Sequence, residues 1–147
     1  MKKCIVWDLD NTLWDGVCLE GAVTLREKVA EAIRELDRRG ILHSIACRGN
    51  EEAAITTLKD FGLEGFFLVP QINWLPKSQN IVRISKVLNL PLNSIAFVDD
   101  DRFEREQVAF MLPDVVTIDS RDAHQLPNRE EFTAANATRE SGERRRL

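Results

Sequence analysis

The feature of this sequence that most constrains its fold is a regular alternation of short apolar runs with longer amphipathic stretches. The runs, rich in β-branched and aromatic residues, predict strands at residues 4–7, 41–46, 66–69, 94–98 and 115–118. The stretches between them carry apolar residues at helical spacing and predict helices at residues 25–39, 51–61, 78–88 and 102–111. Because this alternation is typical of βαβ units, we expect an α/β fold built on a parallel sheet.

Length and composition favour one compact unit. The chain has 147 residues, of which 44% are hydrophobic and 30% charged, so it can bury the core of a single domain. We expect that domain to span residues 1–120. Residues 121–147 are polar and rich in Arg and Glu, which predicts a short helix followed by a frayed tail.

Charge, hydropathy and cysteine usage exclude several classes of protein. The formal net charge of −4 argues against a protein that mainly grips nucleic-acid phosphates. No stretch approaches the roughly 20 apolar residues of a membrane span, and Met1-Lys2-Lys3 is not followed by a signal-peptide core. The three cysteines form no CxxC pattern, so neither a disulfide framework nor a zinc site is indicated. We therefore expect a cytoplasmic protein.

Acidic residues follow two of the predicted strands. Asp8 and Asp10 come after the first strand, and the run Asp99, Asp100 and Asp101 follows the fourth. Parallel α/β sheets bind their ligands at the carboxyl ends of the strands. Carboxylates gathered there repel one another unless a cation neutralises them, and oxygen ligands favour magnesium over zinc. The sequence therefore predicts a Mg²⁺ site, with a phosphorylated small molecule as the natural substrate.

The run Asp8-Leu9-Asp10-Asn11-Thr12-Leu13-Trp14 resembles the first motif of the haloacid dehalogenase superfamily. The resemblance extends over roughly residues 3–118 and is closest to small-cap members, the magnesium-dependent phosphatases and the FkbH-like proteins of polyketide pathways. It is carried further by Trp14-Asp15-Gly16, Asn73-Trp74 and Phe103-Glu104-Arg105-Glu106. It implies a Rossmann-like core with a five-stranded parallel sheet, the first strand central, and no large cap domain.

The resemblance also implies roles for individual residues. Asp8 would be the nucleophile that forms an aspartyl-phosphate, and Asp10 the general acid and then the general base. Lys77 would be a catalytic and substrate-binding residue that offsets charge on Asp8 and on the phosphoryl group. Mg²⁺ would bind Asp8, the backbone carbonyl of Asp10 and Asp100. Whether Asp99 or Asp100 touches the metal directly stays open.

The second motif departs from the family pattern, because Cys47 stands where Ser or Thr normally binds phosphate. Arg48 and the backbone amides near Gly49 could replace part of the lost hydrogen bonding. Two interpretations remain open. Cys47 is either a tolerated replacement in a phosphatase or, as in some FkbH-like proteins, a thiol of depressed pKa that holds a glyceryl group taken from 1,3-bisphosphoglycerate.

Three functions are therefore compatible with the sequence. The first is a magnesium-dependent phosphohydrolase that works through an aspartyl-phosphate. The second is an FkbH-like glyceryl transferase that loads an acyl carrier protein. The third is a non-catalytic scaffold that keeps the fold. Only a short flap, about residues 14–24, separates the first motif from the next helix, and an open crevice of this kind suits a large or carrier-tethered substrate. Trp14 and Trp74 could line that crevice or pack in the core.

Overall fold

The structure is a computed structural model that describes residues 1–133. Its main sheet has five parallel strands in the order β5-β4-β1-β6-β7. The first strand is thus central, as the family resemblance implied. The strands of the chain are β1 (Cys4–Trp7), β2 (Trp14–Asp15), β3 (Thr24–Leu25), β4 (Leu42–Cys47), β5 (Gln71–Ile72), β6 (Ile95–Asp99) and β7 (Val116–Asp119).

Four α-helices flank this sheet, and each lies where the apolar spacing predicted one. Asn50 accepts a hydrogen bond from the Ala53 amide and so caps the second helix. Asn89, in the left-handed conformation at φ 54°, ends the third. The helices are α1 (Glu27–Arg38), α2 (Glu51–Asp60), α3 (Lys77–Leu88) and α4 (Arg102–Met111).

The core lies on both faces of the sheet. Alternate side chains of β1 point to opposite faces, so Ile5 and Trp7 join one buried cluster while Cys4 and Val6 join the other. All four are fully buried. A central parallel strand covered by helices on both faces is apolar throughout, which explains why this run is continuous rather than alternating.

The predicted third strand was wrong in position. Residues 64–66 form a 3₁₀ turn, and the edge strand β5 lies at Gln71–Ile72, beyond Pro70. Phe67 makes only an isolated bridge with His43. Val69 adopts the left-handed conformation, φ 49°, which an extended strand cannot accommodate. The apolar run therefore enters the sheet edge, turns at Val69 and pairs again with β4 two residues later.

The segment after β7 packs onto the core more closely than its polar composition indicated. The predicted short helix is a 3₁₀ helix at Ser120–Asn128, followed by a second at Glu130–Phe132. Ala123, Leu126 and Phe132 are fully buried in the main core cluster. The predicted frayed tail falls on residues 134–147, outside the described residues, so the proposed boundary near residue 120 stays a prediction.

The insertion between β1 and α1 is small. It forms a hairpin in which β2 pairs with β3 in antiparallel fashion, with Trp14 opposite Leu25. Residues 1–133 hold no larger cap over the sheet edge. Among these residues there is also no helix with the length and apolar character needed to cross a membrane.

Candidate active site

Three carboxylates meet at the carboxyl edge of the sheet. β1 and β6 are paired so that Trp7 lies opposite Val98, and each strand then ends on an aspartate, Asp8 or Asp99. One carboxylate oxygen from each of Asp8, Asp99 and Asp100 lies within 4.8 Å of the others. The register of two neighbouring strands is therefore what gathers these charges.

Lys77 lies between two of the carboxylates. It is the first residue of α3 and only 4% exposed. Its Nζ lies 3.0 Å from Oδ1 of Asp8 and 2.5 Å from Oδ2 of Asp99. Burial alone would lower the pKa of Lys77, but the two carboxylates outweigh it and raise that pKa above its ordinary value. Lys77 is therefore a fixed ammonium.

One lysine does not balance this cluster. Burial raises the pKa of Asp8 well above its ordinary value, and the charge of Asp99 raises it further, while Lys77 acts in the opposite direction. The pKa of Asp99 is also raised, again chiefly by burial. Two buried carboxylates thus share one ammonium, and Asp100 adds a third negative charge beside them. The electrostatics favour an additional cation at this edge.

Asp99 and Asp100 have different surroundings. Both carboxylate oxygens of Asp99 are engaged, since Oδ2 accepts from Lys77 and Oδ1 accepts from the Asp101 amide at 2.9 Å. Asp100 is exposed to the cleft, where its Oδ1 lies 3.4 Å from the Thr12 hydroxyl. Asp100 is thus the freer ligand. Asp101 instead caps α4 by accepting a hydrogen bond from the Phe103 amide.

Asp10 is held by the flap. Its Oδ1 accepts hydrogen bonds from Trp14 Nε1 at 2.8 Å and from the Cys18 amide at 3.0 Å. The carboxylate lines an open cleft of about 220 Å³ together with Asp8 and Lys77. Of the two tryptophans that could line the crevice or pack in the core, Trp14 is fully buried and orients Asp10. Trp74 is exposed near the mouth.

Asn11 and Thr12 suit the conformation of the turn that they form. Asn11 adopts the left-handed conformation, φ 57°, and its side chain accepts from the Gly16 amide. The buried Thr12 hydroxyl donates to Oδ2 of Asp8 at 2.9 Å. Both residues therefore shape the turn. Thr12 in addition orients the Asp8 carboxylate.

Cys47 and Arg48 reach the site from the end of β4. Cys47 is 5% exposed, and burial, followed by the charge of Asp8, raises the pKa of its thiol. Of the two interpretations left open, these surroundings favour the tolerated replacement, because burial and then the carboxylate of Asp8 raise the pKa while Lys77 acts in the opposite direction. Arg48 lines the cleft, where its Nε pairs with Glu104 at 3.0 Å and its Nη1 donates to the Trp74 carbonyl.

Comparison with known proteins was made on sequence and on structure. No protein-family model matches the chain, and no curated protein matches it. Among solved structures, the chain is similar to the N-terminal part of a Bacteroides fragilis protein that contains a phosphatase domain, solved in complex with Mg. The identity is 28% and the TM-score 0.75, with 90% of this chain and 40% of the other covered. The chain therefore shares the fold of this phosphatase domain.

More distant structures share the haloacid dehalogenase fold. A Legionella pneumophila protein described as a subfamily III A hydrolase of this superfamily is 16% identical with a TM-score of 0.63, covering 97% of this chain and 90% of the other. The 3-deoxy-D-manno-octulosonate 8-phosphate phosphatase of Moraxella catarrhalis, solved with magnesium, phosphate and the sugar acid, is 21% identical with a TM-score of 0.53. It covers 71% of this chain and 61% of the other.

Sequence reasoning missed one residue that supports this site. Arg105 of α4 donates through Nη1 to the backbone carbonyl of Asp99 at 2.9 Å and pairs with Asp119 at 3.4 Å. It therefore ties the end of β6 to the end of β7. Its place in the run Phe103-Glu104-Arg105-Glu106 was noted, but nothing in that run indicates which carbonyl it reaches.

Proposed function

We propose that the protein is a magnesium-dependent phosphohydrolase that works through an aspartyl-phosphate on Asp8. One observation carries the proposal: a buried ammonium, Lys77, joins Asp8 and Asp99 at the carboxyl edge of a haloacid dehalogenase sheet, with Asp100 beside them. The similar Bacteroides fragilis structure contains a phosphatase domain complexed with Mg. Because this chain spans 40% of that one, the activity is proposed for the domain alone.

The side chains fit a magnesium ion. All the candidate side-chain ligands are carboxylates, three carboxylates lie near one ammonium, and Asp100 is open to the cleft. Hard oxygen donors of net negative charge are what magnesium prefers. Asp8, Asp100 and the backbone carbonyl of Asp10 would hold it. When bound, it would neutralise carboxylate and phosphoryl charge and so let both come close.

The chemistry divides into two displacements. A carboxylate oxygen of Asp8 attacks the phosphorus, the ester P–O bond breaks, and the departing oxygen takes a proton from Asp10. A water molecule then gives its proton to Asp10 and attacks the same phosphorus, which breaks the bond to Asp8 and releases phosphate. Lys77 offsets the charge that develops on the transferring group in both steps.

Hydrogen bonding prepares Asp8 and Asp10 for these roles. Thr12 and Lys77 each hold one oxygen of Asp8, so its carboxylate is fixed before the substrate arrives. Trp14 and the Cys18 amide hold Oδ1 of Asp10, so the orientation of this carboxylate is fixed too. We assign the proton transfers to its Oδ2, which accepts neither of these two hydrogen bonds.

Arg48 and Cys47 complete the proposed phosphate site. Arg48 lines the cleft opposite the aspartates, and its guanidinium can donate to phosphoryl oxygens. A thioester would need a thiolate at Cys47, whereas burial raises the pKa of that thiol. The observations on residues 1–133 favour hydrolysis over glyceryl transfer, and none of them favours a carrier protein. We therefore propose a phosphorylated small molecule as substrate.

A direct test uses purified protein and p-nitrophenyl phosphate with either MgCl₂ or EDTA. We expect turnover with MgCl₂ only, and a loss of at least about 1,000-fold in Asp8→Asn, because the nucleophile is removed. Glu106→Gln, an exposed change on α4, is the control. Magnesium-independent turnover, or an active Asp8→Asn variant of unchanged fold, would exclude this mechanism. Absence of turnover from correctly folded protein would favour the scaffold alternative.

A further inference from the structure

A small apolar pocket opens beside the catalytic cleft. We call it the side pocket and define it by its apolar wall, which is formed by Val17, Cys18 and Leu19 of the flap, Ala54 of α2, and Trp74 before α3. Its remaining lining residues are Leu9, Asp10, Cys47, Arg48, Gly49 and Asn50. Its volume is about 100 Å³. Leu19 and Trp74 are large apolar side chains that are nevertheless 61% and 69% exposed. The proposed mechanism uses none of these side chains.

The side pocket is continuous with the catalytic cleft. Asp10 and Arg48 line both cavities. The flap joins them physically, since the Cys18 amide donates to Oδ1 of Asp10. A substrate group that contacts Asp10 in the cleft is therefore adjacent to the side pocket.

The position of Asp10 decides which part of a substrate would enter. The residue that protonates the departing oxygen must lie within hydrogen-bond reach of it. The group attached to that oxygen then begins at Asp10 and extends away from Asp8 and Lys77. Asp8, Asp99 and Asp100 line only the cleft, whereas Val17, Leu19 and Trp74 line only the side pocket.

We infer that the side pocket receives the leaving group of the substrate and selects phosphomonoesters whose alcohol or phenol is small and apolar. This inference rests on the proposed phosphohydrolase function and deepens it by naming the substrate class.

Size and polarity both restrict the occupant. An apolar cavity of about 150 Å³ accepts benzene, so the side pocket, at about 100 Å³ with an open mouth, suits a single ring or a short alkyl group. Three polar side chains line it, and each already has a hydrogen-bond partner: Oδ1 of Asp10 accepts two hydrogen bonds, the Asn50 side chain accepts from the Ala53 amide, and Arg48 pairs with Glu104. A polyol would leave its hydroxyl groups without partners, which is costly. Burial of Leu19 and Trp74 against an apolar group is favourable instead.

The test compares phenyl phosphate with glycerol 3-phosphate, with MgCl₂ present. We expect the ratio of their kcat/KM values to favour phenyl phosphate in the wild type and to fall roughly tenfold in Trp74→Ala and Leu19→Ser, because each variant removes apolar contact area. Phe110→Ala removes an aromatic residue that is 84% exposed on α4, far along the chain from the flap, and is expected to keep the wild-type ratio. A second readout needs no turnover: phenylphosphonate should bind more tightly than methylphosphonate by calorimetry, and less so in Trp74→Ala.

Each outcome bears on a different claim. Turnover of both esters with a ratio near one, unchanged by Trp74→Ala and Leu19→Ser, overturns the side-pocket inference and leaves the phosphohydrolase intact. Equal binding of the two phosphonates overturns it as well. If neither ester nor p-nitrophenyl phosphate is hydrolysed, the proposed function itself fails and the inference that rests on it fails too.

Discussion

Lys77 Nζ lies 3.0 Å from Oδ1 of Asp8, although 69 residues separate the two in the sequence. Asp8 ends the central strand, and Lys77 begins a helix that follows the edge strand. The contact therefore exists only when β1, β4, β5 and α3 are assembled. The same ammonium lies between two buried carboxylates, so this contact matters both for the stability of the domain and for its proposed chemistry.

Lys77→Met is expected to destabilise the metal-free protein. It leaves Asp8 and Asp99 buried without their cation, and loss of one partner from a buried ion pair costs about 3 kcal/mol, the lower end of the usual range because Asp8 can take up a proton. Thermal unfolding in EDTA measures this. Lys59→Met removes an exposed lysine paired with Glu64 at 3.7 Å and should change stability by less than about 1 kcal/mol. Equal stability of the two variants would contradict the buried triad.

The grouping of the acidic residues at the site could be predicted from the sequence. Asp8 and Asp10 follow one predicted strand, and the run that begins at Asp99 follows another. The apolar character of both strands can be recognised from the local sequence. Since the carboxyl ends of parallel strands share an edge, the grouping of these acids could be predicted before the fold was known. Lys77 was reached only through the family resemblance, because an isolated lysine carries no local signal.

Other features depend on contacts that no local pattern encodes. Leu126 and Phe132 stand in a polar segment, yet both are fully buried, and Arg39 fixes that segment by donating to the carbonyls of Pro127 and Phe132. The surroundings of Cys47 are another such feature. Its neighbour Arg48 made a basic environment one of two open interpretations, whereas burial and then the carboxylate of Asp8 raise the pKa of its thiol.

Asp100→Asn is expected to weaken magnesium binding. If Asp100 is a direct ligand, its substitution should abolish most of the rise in Tm that magnesium causes. For the wild type, magnesium at 100 times its Kd should add about 2.7 kcal/mol to the free energy of unfolding. Asp101→Asn is the matched control, since asparagine caps a helix as well as aspartate and Asp101 caps α4. An Asp100→Asn protein that responds to MgCl₂ like the wild type would reassign the ligand to Asp99.

Cys47→Ser is expected to retain phosphatase activity or to raise it by up to about threefold, because a hydroxyl is the stronger hydrogen-bond donor. In the wild type, burial raises the pKa of Cys47, so iodoacetamide at pH 8 should modify it at least about 100-fold more slowly in the folded protein than in urea. Intact mass after incubation with 1,3-bisphosphoglycerate and MgCl₂ should show no glyceryl adduct. An adduct on the wild type that Cys47→Ser lacks would restore the glyceryl-transfer interpretation.

Glu35 is expected to contribute to acid sensitivity. Hydrogen bonds from Arg38 and then from Arg39 lower the pKa of this carboxyl group. A depressed folded-state pKa gives stability that is present above the unfolded value of about 4.3 and is lost as the pH falls through the folded value. In urea unfolding between pH 3 and pH 6, Glu35→Gln should therefore lose less stability than the wild type as the pH falls. Near neutrality, its free energy of unfolding should be about 1 kcal/mol lower than that of the wild type. Parallel curves for the two proteins would contradict this assignment.

Val69→Asn is expected to stabilise the protein. Val69 holds a left-handed backbone, φ 49°, which costs a β-branched residue about 1 kcal/mol or more and which asparagine tolerates well. Hydrogen bonds from Ser44 and Gln71 to the Val69 carbonyl keep this conformation in place. Because Val69 is only half-buried, the lost apolar contact offsets part of the gain, and a net increase of about 0.5 kcal/mol in the free energy of unfolding is expected. The neighbouring Leu68→Asn relieves no such strain and should give no increase, so a gain in both variants would mean that strain at Val69 is not the cause.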